Sequence, residues 1–399
     1  MASKGFRHAG HTPSLVAALV HFDVSFMVWV LLGALGAYVA SDLGLSPAQK
    51  GLMVAVPPLG GSVFRLLLGT LVDRVGIRRT GLVTMALTLV PLAWGWLGGG
   101  TYRQVLGIGL LLGVAGASFA VALPLASRWY PPEHQGLALG IAGAGNSGTL
   151  IAALAAPRLA EHVGWHGVFG LAAVPVSLAW LVFALLVKEP PRHQPAAGVP
   201  ANPFSLLDDP DARWLCSFYL VTFGGFVGLA GYLPIFFVDR FGLTKVTAAG
   251  FAALCAVAGS FLRPLGGALS DRLGGTRVLA GALGGASLLL FGMTFLPGLA
   301  VTVLLLFVVM AAFGIGNGAV FQLVPQRFPT RIGTMTGLVG AAGGLGGFLL
   351  PFALGSLQGS TGTFAAGFAL IAAAVGLASF CVNRRQRVWA AAWDLEVAV

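Results

Sequence analysis

The chain has 399 residues, of which 57% are hydrophobic and only 9% are charged. Soluble proteins carry about 25% charged residues, so this composition excludes a soluble domain and places most of the chain in the lipid bilayer. The net charge of +10 could suit nucleic acid. However, the basic residues lie between long apolar runs, as in the loops of a membrane protein, and we expect no nucleic-acid partner.

Twelve apolar runs are long enough to cross a bilayer, which takes about 20 mostly apolar residues in a helix. In chain order they are residues 15–40, 51–72, 80–98, 104–127, 136–157, 167–187, 214–238, 247–270, 277–296, 299–323, 333–356 and 363–382. The runs are continuous rather than alternating, which predicts helices instead of the strands of a barrel. We therefore expect an all-α membrane protein with twelve transmembrane helices.

One long polar stretch, rich in proline and charge, divides these runs into two sets of six. Such a stretch is typical of a linker. We predict an N-terminal six-helix bundle over residues 1–187 and a cytoplasmic central loop over 188–213. A C-terminal six-helix bundle over 214–383 and a cytoplasmic tail over 384–399 complete the predicted organisation.

Lysine and arginine are distributed unequally between the two sides of the membrane. With the N-terminus inside, 16 of the 23 fall on the cytoplasmic side and 5 outside, while Arg65 and Arg263 lie within apolar runs. Cytoplasmic loops of membrane proteins carry this excess of positive charge. We expect a multi-pass protein of the cytoplasmic (inner) membrane with both termini in the cytoplasm.

The two halves repeat one motif near the end of their second apolar run. Residues 69–79, GTLVDRVGIRR, align with residues 267–277, GALSDRLGGTR, at a constant offset of 198. The acid and the neighbouring arginine can form charge pairs at the helix ends and close one face of the protein. Alternatively, these charges only set the topology. The candidate gating residues are Asp73, Arg74, Asp271 and Arg272.

This paired G-x-L-x-D-R-x-G-x-x-R element resembles the cytoplasmic-loop signature of the major facilitator superfamily. The twelve apolar runs and the central loop extend the resemblance over essentially the whole chain. It implies two pseudo-symmetric six-helix bundles and a secondary transporter that works by alternating access. The substrate site of such transporters lies at the interface of the repeats. Members commonly act as monomers, and we expect a monomer here.

Two arginines lie inside apolar runs, each four residues before the first glycine of the motif. Arg65 and Arg263 are therefore about one helical turn deeper in the membrane than the motif itself. An arginine at the bilayer centre costs roughly 2.5–3.5 kcal/mol on insertion scales, and such residues usually face a cavity. We predict that the pair binds one anion through forked N–H donors. Alternatively, either side chain reaches the interface or pairs with an acid.

Two glycine-rich stretches, GAGNSGTL at 143–150 and GAAGGLGGF at 340–348, resemble the nitrate signatures of the nitrate/nitrite porter family. The contexts VFRLLLG and LRPLGG of the two arginines are also similar. The resemblance implies that Arg65 and Arg263 clamp nitrate or nitrite and that the amide of Asn146 donates to the anion. Alternatively, the small residues only pack helices. The signature glycines are Gly143, Gly145, Gly148, Gly340, Gly343 and Gly344.

Aromatic residues of the same segments extend the resemblance. The stretch FYLVTFGGF at 218–226 is similar to a tyrosine-containing stretch of the family, which implies Tyr219 as a donor and Phe223 as a ring against the flat anion. The two residues are four apart and face one way on a helix. Phe119, in the fourth segment, is the expected opposing ring. Alternatively, these rings lie in the core or against lipid.

Asp23 is the acid that the sequence places well inside a membrane span. Intramembrane acids are candidate proton carriers, and the family includes both proton-coupled nitrate uptake and nitrate/nitrite exchange. We therefore favour proton-coupled symport, with exchange as the alternative. Repulsion between two arginines in an empty site would favour exchange. Asp23 could also be solvated near the interface or paired with His21.

The sequence offers little for an enzyme, because it has no nucleophile elbow, P-loop or HExxH motif. The cysteines Cys216, Cys255 and Cys381 are far apart, and the pair His162 and His166 is more typical of solvated residues. We expect a transporter that needs no cofactor and no metal. Three alternatives remain open: a channel, a carrier for another small or organic anion, and a nitrate sensor that transports nothing.

Overall fold

The structure, a computed structural model, describes residues 9–190, 203–328 and 331–396. The α-helices, numbered in chain order, are α1 Thr12–Trp29, α2 Leu31–Ala34, α3 Gly36–Asp42, α4 Pro47–Val75, α5 Ile77–Leu97, α6 Tyr102–Gly116, α7 Phe119–Trp129, α8 Pro132–Gly143, α9 Gly148–Leu186, α10 Pro210–Phe241, α11 Lys245–Phe261, α12 Arg263–Leu273, α13 Gly275–Met293, α14 Leu299–Arg327, α15 Ile332–Thr361 and α16 Ala365–Glu396. Short 3-10 helices lie at Ala144–Ser147 and Pro203–Asp208.

Within the described residues, eleven helical stretches are long and apolar enough to cross a membrane. One of them, Ala138–Leu186, has 49 residues, more than twice the ~20 that one crossing needs. It is bent at Gly164, whose φ of 70° and ψ of 166° are not helical. The predicted segments 136–157 and 167–187 lie on either side of this bend. The prediction of an all-α membrane protein is confirmed.

The central polar stretch and the C-terminal residues contain more helix than their composition suggests. Pro203–Asp208 forms a 3-10 helix inside the predicted loop, and α10 begins at Pro210, four residues before the predicted bundle. Asp209 caps this helix, because its side chain accepts a hydrogen bond from the backbone N–H of Asp211. At the other end, α16 continues to Glu396, through most of the predicted tail.

The chain divides into two compact units. The first comprises Met1–Leu45 and Val56–Ala196, and the second comprises Ser46–Ala55 and Ala197–Val399. The start of α4 therefore belongs to the second unit, where Lys50 forms an ion pair with Asp239 at 2.8 Å.

In the first unit, glycine allows α4 and α6 to approach until their backbones touch. A methyl group at Gly113 would overlap the backbone of Gly60. Two glycines, Gly61 and Gly116, lie against the indole ring of Trp29 on α1. Close approach through small residues is the usual way in which membrane helices pack. It brings the side chain of Arg65, on α4, up to the end of α6.

In the second unit, α10 and α15 cross at glycines in the same way. A Cβ at Gly224 would overlap the backbone of Gly346, and the reverse is also true. Gly314 on α14 similarly lies against the backbone of Gly259 on α11. Gly318, also on α14, lies against the backbone of Arg263 at the start of α12.

Candidate functional site

Arg65 is 4% exposed and lies between two aromatic rings. The carbon of its guanidinium group is 5.2 Å from the ring centroid of Trp29 and 5.8 Å from that of Phe119. Its Nε donates a hydrogen bond to the carbonyl oxygen of Gly116 at 3.1 Å. Both rings are close enough for cation–π contacts with the guanidinium, and the hydrogen bond orients its plane.

The carbonyl of Gly116 is available because the helix breaks there. α6 ends at Gly116 and α7 begins at Phe119. In a continuous helix the N–H of Ala120 would donate to Gly116, but it donates to Ala117 at 2.9 Å instead. A carbonyl freed by a helix end needs another donor, and Arg65 supplies it. The same break positions the ring of Phe119.

Trp29 is a contact of Arg65 that sequence reasoning missed. Its indole N–H donates to the carbonyl of Pro57 at 2.9 Å, and it is 1% exposed. The ring is held in place by Gly61 and Gly116, whose lack of side chains leaves room for it. The only sequence signal was an aromatic residue in the first apolar run, which is common in membrane helices.

Arg263 lies at the first position of α12, immediately after a break at Leu262. Its Nη2 donates to the hydroxyl of Tyr219 at 3.2 Å, and its guanidinium carbon lies 5.0 Å from the ring centroid of Phe321. The predicted partner Tyr219 is therefore found beside Arg263. Phe321 was not predicted, because it lies on α14, in a run without a recognisable motif.

Tyr219 and Phe223 form a parallel stack behind Arg263. Their ring centroids are 5.0 Å apart with an interplanar angle of 7°, which the spacing of four residues on α10 permits. Phe321 meets Tyr219 edge-on at 5.0 Å. The signature residue Gly343 on α15 lies directly against both stacked rings, and a Cβ there would come within 2.6 Å of Tyr219.

The first glycine signature contains a local break in the helix. Ala144–Ser147 forms a 3-10 turn between α8 and α9, so Asn146 lies outside regular α-helix. A mid-helix 3-10 turn often marks a functional hinge. Within the signature, Gly145 and Gly148 lie against the backbone of Asp23 on α1, whereas a Cβ at Gly143 would meet nothing within 4 Å. In the second signature, Gly340 and Gly344 are buried.

Asp23 contacts the same signature and does not pair with His21. Its carboxylate accepts a hydrogen bond from the hydroxyl of Ser147 at 2.6 Å and one from the backbone N–H of Gly148. His21 instead packs against the ring of Phe183 at 5.0 Å, and neither ring nitrogen has a hydrogen-bond partner among the described residues. Asp23 therefore lies at the N-terminal end of α9, where N–H groups and the helix dipole attract a carboxylate.

Comparison with known proteins places the whole chain in one family. The model of the Major Facilitator Superfamily matches residues 17–351. A protein of Bacillus subtilis (strain 168) named nitrite extrusion protein is 36% identical over 362 residues, covering 89% of each chain. The probable nitrate/nitrite transporter NarK2 of Mycobacterium tuberculosis (strain CDC 1551 / Oshkosh) is 35% identical over 352 residues, covering 87% of this chain and 89% of the relative. This chain is a nitrate/nitrite porter family member of the major facilitator superfamily.

The family assignment confirms the resemblance on which the site residues were chosen. The porter is a multi-pass membrane transporter and not an enzyme. A solved structure of a bacterial homologue of the human lysosomal transporter Spinster, inward-facing and occupied, has the same fold. Its TM-score is 0.71 at 18% identity, covering 96% of this chain and 98% of the other.

The repeated motif of the porter contains a glycine turn between two helices in both halves. Gly76 has a φ of 101° and Gly274 a φ of 90°, and residues other than glycine rarely adopt such values. Of the four candidate gating residues, Arg74, Asp271 and Arg272 are exposed. In the described part of the chain Asp271 makes no ion pair, and the side chain of Asp73 lies outside that part.

Two acids that had no predicted role stabilise helix ends in the porter. Glu189 accepts hydrogen bonds from the backbone N–H groups of Ile77, at 2.7 Å, and Arg78, at 2.9 Å, at the start of α5. Asp211 accepts from Nε of Arg327 and from the indole N–H of Trp389, both at 2.7 Å. These contacts join distant parts of the chain, so no local spacing indicates them.

In the part of the chain that the structure describes, the pair His162 and His166 does not form a metal site. Nδ1 of His166 lies 2.7 Å from the carbonyl oxygen of Gly95, and the ring stacks on Trp165. His162 is exposed. Among the described residues, no group of three His, Cys, Asp or Glu side chains could hold a metal ion.

Proposed function

We propose that the porter moves nitrate, nitrite or both across the cytoplasmic membrane by alternating access. The observation that carries the proposal is a pair of arginines in contact with aromatic rings, one arginine in each unit. Arg65 lies against Trp29 and Phe119 and Arg263 against Phe321, next to Tyr219. Each unit therefore holds a guanidinium group against an aromatic ring, and the positive charge of that group can attract an anion.

The flat shape of nitrate suits these surroundings. Guanidinium groups present N–H donors in one plane, which matches a planar anion with several oxygens. Phe119 and the stacked pair Tyr219 and Phe223 offer ring surfaces, and the Tyr219 hydroxyl and the Asn146 amide offer further donors. In this proposal both arginines bind the same anion. The names of the relatives from B. subtilis and M. tuberculosis support nitrite and nitrate as cargo.

We further propose that proton-coupled uptake is the mode of transport. Asp23 accepts hydrogen bonds from Ser147, the last residue of the 3-10 turn that carries Asn146, and from Gly148, which follows that turn. A proton on Asp23 would change these contacts and so act on the segment that carries an anion ligand. Both termini would lie in the cytoplasm and the porter would work as a monomer.

Nitrate/nitrite exchange is the alternative mode, favoured by the charge of the two arginines. An empty site would hold two guanidinium groups whose repulsion is strong in a medium of low dielectric. An anion relieves that repulsion and would allow the carrier to close. Return of the carrier would then need a second anion, such as nitrite, instead of a proton.

The deciding experiment is nitrate uptake into proteoliposomes, with and without internal nitrite and with and without an inward proton gradient. Arg65→Lys and Arg263→Lys should each lower uptake at least about tenfold, because lysine cannot provide a planar fork. Arg240→Lys, a change on an exposed side chain, is the matched control. Absence of nitrate flux in the folded native porter, or full activity of both lysine variants, would overturn the proposal.

A further inference from the structure

The two helices that carry Tyr219 and Phe321 each bury a polar side-chain atom that has no hydrogen-bond partner among the described residues. Thr222 on α10 is 0% exposed and Asn317 on α14 is 2% exposed. In the described part of the chain, neither Oγ1 of Thr222 nor Oδ1 of Asn317 has a partner. An unpaired buried polar atom destabilises a fold, and valine or leucine would fill these places without that cost.

Both side chains lie one helical turn from the contacts of Arg263. Thr222 follows Tyr219 by three residues and Asn317 precedes Phe321 by four, so each shares a helix face with its aromatic neighbour. Tyr219 and Phe321 both touch the guanidinium of Arg263. The polar pair therefore extends the same surface along the two helices.

The residues on either side of Asn317 fix its position. A Cβ at Gly316 would lie 2.8 Å from the side chain of Thr222, and one at Gly318 would overlap the backbone of Arg263. The turn that carries Asn317 is thus packed between α10, at Thr222, and the start of α12, at Arg263. Both glycines are needed for this close approach.

Among the described residues of the second unit, one other buried polar side-chain atom lacks a partner and provides a comparison. Oε1 of Gln322, on the same helix, also lacks a partner, but it lies against the backbone of Gly275 at the start of α13. Gln322 follows Phe321 directly and therefore points to a different side of α14. It is a matched control for Asn317.

We propose that Asn317 and Thr222 are additional anion-binding residues beside Arg263 and determine the preference of the site for nitrate over nitrite. The proposal rests on the proposed function. A side-chain amide can present either its oxygen or its N–H2 group after a 180° rotation, and a threonine hydroxyl can donate. An oxyanion would accept hydrogen bonds from the amide of Asn317 and the hydroxyl of Thr222, which would give both side chains a partner. Nitrate has one oxygen more than nitrite, so it gains more from donors beyond the two guanidinium groups.

The test is the kinetics of nitrate and nitrite uptake into proteoliposomes by Asn317→Leu, Thr222→Val and the control Gln322→Leu. Each of the first two changes should raise the KM for nitrate about three- to tenfold, the effect expected for the net loss of one typical hydrogen bond. The KM for nitrite should rise less, kcat should stay within about twofold, and Gln322→Leu should leave the ratio of the two KM values unchanged.

Thr222→Ser keeps the hydroxyl and should restore the KM for nitrate, a rescue that a purely structural role of the threonine methyl would not give. If Asn317→Leu does not yield folded porter, the Thr222 variants decide. Unchanged KM values for both anions in Asn317→Leu and Thr222→Val would overturn this inference while leaving the proposed function intact. A native porter that moves neither anion would overturn the proposed function itself.

Discussion

The Nε atom of Arg65 and the carbonyl oxygen of Gly116 are 3.1 Å apart and form a hydrogen bond between α4 and the end of α6. The bond depends on two local features of the sequence. Glycine at 116 leaves room for the indole of Trp29, and the helix break after it frees the carbonyl. Gly116 thus orients the side chain of Arg65 and also leaves room for the ring of Trp29 that contacts it.

The substitution Gly116→Ala should therefore disturb the orientation of the Arg65 side chain while leaving the arginine in place. The new methyl group would overlap the indole of Trp29, and overpacking of this kind costs about 1–3 kcal/mol. We expect a lower melting temperature in detergent and a several-fold loss of nitrate uptake. Gly140→Ala is the control, because a Cβ there meets nothing within 4 Å. Equal activity of the two variants would argue against this account of Gly116.

The hydroxyl of Tyr219 should contribute to anion affinity through Arg263. Tyr219→Phe keeps the stack with Phe223 but removes the acceptor that holds Nη2 at 3.2 Å. We expect the KM for nitrate to rise about three- to tenfold, the effect of losing one typical hydrogen bond, while thermal stability changes little. Tyr38→Phe is the matched control, since that hydroxyl donates to the carbonyl of Pro157. A KM unaffected by Tyr219→Phe would show that the hydroxyl serves packing alone.

The helices, and the shared helix face of Tyr219 and Phe223, could be predicted because they depend on local properties of the chain. Apolar runs of bilayer length predict helices wherever they occur, and an arginine within such a run is conspicuous because of its solvation cost. Tyr219 was predicted through its resemblance to a family segment and is found beside Arg263. The spacing of Tyr219 and Phe223 correctly predicted that the two rings lie on one face.

The remaining site features depend on how distant segments meet. Trp29 and Phe321 reach the arginines only because glycines on neighbouring helices permit close packing. Glu189 lies in a stretch that reads as a linker, yet it caps a helix more than 100 residues earlier in the chain. No spacing or composition within a single segment carries information about such contacts.

The signature glycines should differ sharply in their tolerance of alanine. A Cβ at Gly148 would overlap the carbonyl of Asp23, whereas a Cβ at Gly143 would meet nothing within 4 Å. Gly148→Ala should therefore push α1 and α9 apart and reduce both folded yield and uptake. Gly143→Ala should be neutral, or slightly stabilising because alanine favours the helix by about 0.5–1 kcal/mol. Folded yield by gel filtration and nitrate uptake check both changes, and similar behaviour of the two variants would contradict the packing argument.

Glu189 should stabilise the start of α5. Its carboxylate accepts hydrogen bonds from two backbone N–H groups that have no partner within the helix. It also lies at the positive end of the helix dipole. Glu189→Ala should lower the free energy of unfolding by roughly 0.5–2 kcal/mol, the usual range for a lost N-terminal cap. The measurement is thermal unfolding in detergent, with the exposed acid Glu161 changed to alanine as the control. No difference between the variants would mean that solvent replaces the carboxylate.

The role of Asp23 should be resolved by Asp23→Asn. Asparagine has nearly the same shape and can still accept from the Ser147 hydroxyl and the Gly148 N–H, so the start of α9 should keep its structure. It cannot take up a proton. If Asp23 couples proton movement to nitrate uptake, the variant should lose stimulation by an inward proton gradient while nitrate/nitrite exchange continues.

Ser147→Ala distinguishes the packing of Asp23 against α9 from the uptake of a proton by Asp23. It removes the 2.6 Å hydrogen bond but leaves a carboxylate that can take up a proton. Stimulation by the proton gradient should therefore persist in Ser147→Ala and be absent in Asp23→Asn. If the gradient stimulates Asp23→Asn as strongly as the native porter, Asp23 serves only to hold α1 against α9. Stimulation by internal nitrite in place of the proton gradient would then identify exchange as the mode of transport.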